Sequence, residues 1–212
     1  MGNMCMKLYI SDIRDLFDLP GIELLDESRR NRVYRYHRLE DQARCLTAGL
    51  MLRSVFGEND VSRMTVSQFG KPILPKGPCF NLSHSGNKVV LLADERPVGV
   101  DVELITTYSK SVAKKVFTTV EQNWLRCQAT DEAFFRLWTG KESIMKTLGL
   151  GFHLPPESFE ICPDAGISNI VCGQSWYLHW LVLDNHMICT AAEHTGTPKM
   201  PILLSSSELL QK

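Results

Sequence analysis

Gly99-Val100-Asp101-Val102-Glu103 alternates small or acidic residues with valines, and Val98 extends the apolar set by one step. Period-two alternation predicts a strand with two carboxylates on one face and valines on the other. Trp138-Thr139-Gly140-Lys141-Glu142-Ser143-Ile144-Met145-Lys146 has the other period. Trp138, Glu142 and Lys146 recur at four-residue spacing, which predicts one side of a helix. Three carboxylates and two lysines brought together at the end of a strand would hold a divalent cation and a phosphate, and that points to an enzyme.

The rest of the chain is read outward from these two segments. A helix is expected over 40–56, with Leu39, Ala43, Leu46 and Leu50 on one stripe and Gly57 as its stop. Strands are expected at 64–69, 79–83, 87–93 and 98–104, the last two joined by the turn Asp94-Glu95-Arg96-Pro97. Thr106 to Lys110 reads as a link to helices at 111–116 and 119–127. A helix over 131–148, closed by Gly149, precedes strands near 158–162, 167–171, 176–183 and 187–193, with Asp184-Asn185 as a hairpin turn. Helix followed by antiparallel strands occurs twice. The expected class is α+β: two similar subdomains in a pseudo-twofold arrangement, 1–105 and 106–212, each a helix on a small antiparallel sheet.

Composition narrows the function classes. The 212 residues are 44% hydrophobic and 22% charged, ordinary for a globular chain. Lys plus Arg number 23 against 24 for Asp plus Glu, so a broad electrostatic grip on nucleic acid or an anionic membrane is not expected. No run approaches the roughly 20 apolar residues that span a bilayer. MGNMCMKLYI offers neither a secretory pattern nor the Ser or Thr that a myristoylation signal wants at position 6. Seven cysteines, odd in number and without a CxxC pair, read as free thiols of a cytoplasmic protein.

Each candidate residue has a plain structural explanation beside the functional one. Helical arithmetic puts Lys141 in the middle of the stripe formed by Phe134, Leu137, Trp138, Ile144, Met145 and Leu148. There it must snorkel to water or meet an anion, because an unpaired buried ammonium is very costly. Glu142 and Lys146 alone would be an ordinary helix-surface pair. Asp101 and Glu103 alone would be a solvated strand face, although acidic residues are disfavoured in strands and Gly99 leaves room for a close approach. Two strand carboxylates plus Glu142 suit magnesium, which takes oxygen ligands.

Phe80-Asn81-Leu82-Ser83-His84-Ser85-Gly86 lacks a nucleophile elbow. Its Ser83, His84 and Ser85 are either phosphate donors or parts of a polar turn. Arg29, Arg30, Arg32, Arg35, Arg38 and Arg44 form the one concentrated basic stretch, read as a solvated helix face or as forked donors for a terminal phosphate. Lys71 sits in a Gly-Lys-Pro turn. Glu121 is expected to close a capping box with Thr118. His179, His186 and His194 lack helical metal-ligand spacing.

The order FGKP, FNLSHSG, GVDVE, FTTVE, WTGKESIMK and LGLG resembles the phosphopantetheinyl transferases of the Sfp type, over roughly residues 27–160. The resemblance implies two similar α+β subdomains with the site between them. It implies transfer of the phosphopantetheine arm of coenzyme A to a serine of an apo acyl or peptidyl carrier protein, with release of adenosine 3′,5′-bisphosphate. By the same resemblance Asp101, Glu103 and Glu142 hold Mg2+ (or Mn2+), and Lys141 and Lys146 meet the pyrophosphate. Ser83 and His84 lie near the 3′-phosphate and ribose, Lys71 matches the lysine of the Gly-Lys-Pro turn, and Arg29, Arg32 and Arg44 serve the 3′-phosphate. Glu142 would be the base and Lys146 would assist the departing phosphate. Lys114, Lys115 and Arg126 are candidates for docking an acidic carrier. A monomer is expected. The rival readings are a coenzyme A-binding regulator without catalysis and a different magnesium-dependent phosphotransferase or nuclease.

Overall fold

The computed structural model describes residues 6–164 and 168–211, so Cys5 with the rest of positions 1–5 and position 167 of the expected strand 167–171 lie outside the described residues. In chain order the elements are β1 (Lys7–Asp12), α1 (Glu27–Tyr34), α2 (Leu39–Phe56), α3 (Glu58–Val61), β2 (Thr65–Val66), β3 (Pro72–Ile73), β4 (Cys79–Ser85), β5 (Lys88–Asp94) and β6 (Val98–Leu104). They continue with α4 (Lys110–Val116), α5 (Thr119–Gln128), α6 (Asp131–Leu148), β7 (Ser168–Val171), β8 (Gln174–Leu183), β9 (His186–Ala192), β10 (Ile202–Leu204) and α7 (Ser206–Leu209). None of the described helices is long and apolar enough to cross a membrane.

Two four-stranded sheets carry the fold, in the orders β10-β1-β5-β4 and β6-β9-β8-β7. The second is antiparallel throughout. The first is mixed, because β10 runs parallel to β1 at its edge. Apolar side chains order these elements into layers. Ala43, Leu46 and Leu50 of α2 bury themselves against Val89, Leu91 and Ala93 of β5. The alternate β5 residues, Val90 and Leu92, meet Val98, Val100 and Val102 of β6 between the two sheets. Beyond the second sheet, Leu137, Ile144 and Met145 of α6 pack on Met187, Cys189 and Ala191 of β9. β5 and β9 are thus covered on both faces and are buried along their whole length, which explains their continuous apolar sequences.

Helix α2 stops at Gly57, whose φ of 82° suits glycine, and α6 stops at Gly149 in the left-handed region. Asp184 and Asn185 both have positive φ, as the hairpin between β8 and β9 requires. The expected strand 64–69 is instead the two-residue ladder of β2 with β3. Residues 158–162 form no strand. Their backbone is satisfied by side chains: Ile161 N–H donates to Glu121 Oε1 (2.9 Å), Cys162 N–H to Asn169 Oδ1 (2.6 Å), and the Phe159 carbonyl accepts from Lys141.

β1, β10 and α7 were not expected. Nor does the sheet boundary coincide with a division at residue 105. The turn 94–97 carries the chain from the first sheet to the second, so β6 belongs with β7–β9, and β10 returns to the first sheet. Lys88 at the start of β5 ties the sheets together, 3.0 Å from Asp12 and 2.7 Å from Asp184.

Candidate active site

The site forms where α6 lies along β6. A Cβ on Gly99 would collide with the Ser143 carbonyl and with Thr147. Glycine at this position is what lets the helix backbone approach the strand, so the space foreseen at Gly99 is filled by α6. One turn of helix either side of that contact projects Trp138, Glu142 and Lys146 over Asp101 and Glu103. With Leu82, Ser83 and His84 of β4 they line a cleft of about 300 Å³.

Lys146 Nζ lies 2.6 Å from Asp101 Oδ1 and donates to Ser83 Oγ at 2.7 Å. Ser83 in turn donates to Asp101 Oδ1 (2.8 Å). Glu103 accepts from Ser85 Oγ at Oε2 (2.7 Å) and from Trp138 Nε1 at Oε1 (3.4 Å). Asp101 Oδ2 is buried without a hydrogen-bond partner. Burial, reinforced by the Asp101 charge, pushes the Glu142 carboxyl up to about 7, with Lys146 pulling the other way. Burial and then Asp101 also raise Glu103, against Ser85, Trp138 and Lys146. Desolvation, then the neighbouring charges of Arg44 and Lys146, lower the His84 imidazole. Three carboxylates, Asp101, Glu103 and Glu142, thus share the cleft with one ammonium, Lys146.

Residues 97–196 match the 4′-phosphopantetheinyl transferase superfamily. The chain is 32% identical over 151 residues to the 4′-phosphopantetheinyl transferase Sfp of Bacillus subtilis, covering 66% of this chain and 67% of that protein. It is 31% identical over 195 residues to the transferase HetI of a Nostoc species, covering 84% and 81%. The gsp protein of Aneurinibacillus migulanus, also a 4′-phosphopantetheinyl transferase, is 32% identical over 147 residues, 65% and 61% of the two chains. The chain belongs to the phosphopantetheinyl transferase superfamily. It is a transferase, and the matched span carries Asp101, Glu103, Glu142 and Lys146 together.

Not every expected residue reaches the transferase cleft. Lys141 is corrected: it is fully buried, 2.9 Å from Glu121 Oε1, and donates to the carbonyls of Pro156 (2.7 Å) and Phe159 (2.5 Å). The anion it meets is a protein carboxylate, so it has no route to a pyrophosphate. Burial holds its pKa below the usual lysine value, with Glu121 opposing the shift. Glu121 does close the capping box with Thr118, and it does so while pairing with Lys141. Lys71 lies outside the cleft lining and donates to the Thr147 carbonyl (2.7 Å) near the C-terminus of α6, where a cation also complements the helix dipole.

Arg44 flanks His84 but is engaged with Asp41 (2.6 Å) and the Gly86 carbonyl (2.5 Å). Arg29 is half-buried against α2 and Arg32 exposed on α1, both outside the cleft lining. Ser83 does line the cleft, yet its one proton is committed to Asp101. The Trp138 indole N–H on Glu103 was not anticipated; its sole signal was its four-residue spacing from Glu142.

The three carboxylates fit a hard divalent cation in chemistry: all are oxygen donors, and one of them presents an orphaned buried oxygen. Among the described residues, no group of three or more His, Cys, Asp or Glu side chains stands in a metal-holding cluster. Asp101, Glu103 and Glu142 share the cleft without converging on a point.

Proposed function

We propose that this transferase moves the 4′-phosphopantetheine arm of coenzyme A onto a serine hydroxyl of an apo acyl or peptidyl carrier protein, releasing adenosine 3′,5′-bisphosphate. The observation that carries this reading is the meeting of Asp101 and Glu103 with Glu142 and Lys146 in one cleft, in a chain whose relatives are phosphopantetheinyl transferases. The serine oxygen bonds to the phosphorus that bears the pantetheine, and the bond from that phosphorus to the oxygen of the adenosine 5′-phosphate breaks. Such transfer is chiefly positioning and electrostatic stabilisation.

Glu142 takes the serine proton. A carboxyl held near pH 7 is a far better base than an ordinary glutamate. Lys146, 30% exposed and already turned into the cleft, donates to the departing phosphate oxygen. Asp101, Glu103 and Glu142 are the residues that would hold Mg2+ or Mn2+, which screens the pyrophosphate charge when bound. The two roles of Glu142 compete, since coordination lowers a carboxylate's basicity. Arg44 is the cation beside the cleft suited to the 3′-phosphate, with His84 beside it as a neutral imidazole able to donate a hydrogen bond and Arg29 and Arg32 farther off on α1.

The same order of elements supports reading the chain as two similar subdomains: β1, α2 and the β4–β5 hairpin on one side, β6, α6 and the β8–β9 hairpin on the other. In both, the second hairpin strand pairs antiparallel with the opening strand. Incubation with coenzyme A, magnesium and an apo carrier, followed by mass spectrometry of the carrier, tests the proposal. A mass gain equal to the phosphopantetheine arm supports it. No gain on fatty-acid, polyketide and peptide-synthetase carriers rejects it in favour of a coenzyme A-binding regulator.

A further inference from the structure

β4 is the last strand of one sheet and β6 the first of the other, and they lie edge to edge without a backbone ladder. Side chains replace the ladder. Val100 N–H donates to Asn81 Oδ1 (3.4 Å), Val102 N–H to Ser83 Oγ (3.3 Å) and Leu104 N–H to Ser85 Oγ (3.1 Å). The three acceptors sit at alternate positions of β4 and therefore share one face of it. Both serines repeat one pattern: each accepts from a β6 amide and donates to the carboxylate of the preceding β6 residue. Ser83 donates to Asp101 and Ser85 to Glu103.

A hydroxyl has a single proton. With that proton on Glu103, Ser85 is engaged by the protein itself rather than turned toward a phosphate. It differs from Ser83 in standing outside the cleft lining and making no bond to Lys146. What it does reach is one oxygen of Glu103, while Trp138 of α6 reaches the other. Glu103 is thus gripped from two directions, by the neighbouring sheet and by the helix.

We infer that Ser85 is a positioning residue that aims the Glu103 carboxylate into the cleft and ties its orientation to the seam between the sheets. The inference rests on the reading of Glu103 as a cation ligand. Loss of a partner that orients a metal-binding side chain typically weakens metal affinity about 10- to 100-fold.

The test is titration of the full-length chain with manganese(II), followed by the ion's own EPR signal, for wild type, S85A, S85C, S85T and E103Q. S85A should weaken manganese binding by about 10-fold or more. S85C, which keeps the volume of the seam but is a weak donor, should do the same even if S85A folds poorly. S85T, which restores the hydroxyl, should bind like wild type. Turnover at saturating magnesium should change much less than the affinity. In an E103Q background, S85A should weaken binding no further. Unchanged affinity in S85A and S85C, with E103Q impaired, overturns the inference and leaves Ser85 as a seam residue only. Unchanged affinity in E103Q itself overturns the reading of Glu103 as ligand, and the role of Ser85 with it.

Discussion

Lys141 Nζ and Glu121 Oε1 lie 2.9 Å apart, with both side chains sealed from solvent at 0% and 1% exposure. The lysine is the neighbour of Glu142 on α6, yet the step of about 100° between them turns it away from the cleft, toward the cap of α5 and the 156–161 segment. It anchors the helix that presents the cleft residues. Breaking a buried pair by removing one partner strands the other charge and costs about 3–5 kcal/mol. K141M should therefore lower the free energy of unfolding by about that amount in urea titration. The KM for coenzyme A of the remaining folded protein should stay close to wild type. A large rise in that KM with stability intact would mean that Lys141 reaches substrate after all.

Removing the proposed base should be seen in turnover rather than in folding. E142Q keeps shape and volume but cannot accept the serine proton, and a positioned general base contributes about 10²–10⁴ in rate. A single-turnover assay on an apo carrier should show a loss within that range. Near-normal turnover would remove Glu142 from the role.

The same residue sets a pH dependence of stability. Its carboxyl titrates near 7 in the folded protein and near 4.5 when exposed, so the fold holds a proton that the unfolded chain releases. Stability from Glu142 is present below pH 4.5, falls as the pH rises from 4.5 to 7, and is absent above that. The full span is at most about 3 kcal/mol, because a tenfold difference in proton affinity between the two states is worth about 1.36 kcal/mol. Thermal melts in EDTA should show wild type losing stability relative to E142Q across this window. Parallel curves would contradict it.

Gly99 predicts a steric effect. A methyl group there meets the Ser143 carbonyl and the Thr147 amide of the α6 backbone as well as the Thr147 hydroxyl, so the helix must move off β6. Overpacking of this kind costs about 1–3 kcal/mol. G99A should lower the melting temperature and impair transfer together, because moving α6 carries Glu142 and Lys146 away from Asp101. A G99A protein with wild-type melting and turnover would show that the helix has room to spare over β6.

Much of this was legible because period and residue type agree locally. The acidic strand, the long helix and its Gly149 stop, the Thr118–Glu121 cap and the Asp184-Asn185 turn all follow from contacts within a few residues. The misses depend on distant partners. β1 is a strand because it pairs with β5, and the three-residue β10 because it pairs with β1. Residues 158–162 have strand-like composition, but Glu121, Asn169 and Lys141 take their backbone groups. Lys141 is the sharpest case: its place in an apolar stripe required either water or an anion, and nothing local showed that Glu121, 20 positions earlier, would be what it meets.

The sequence by itself determined the chemistry available to this protein: two carboxylates on one strand, a glutamate and a lysine four residues apart on one helix, and a serine-histidine strand before them. Tertiary structure alone decided which of those groups face one another. Gly99 brings α6 onto β6, the edges of two sheets meet through Asn81, Ser83 and Ser85, and Glu121 draws Lys141 into the core. The reason is physical. Spacing fixes the direction of a side chain relative to its own element, whereas what it meets depends on which buried groups other elements leave to be satisfied.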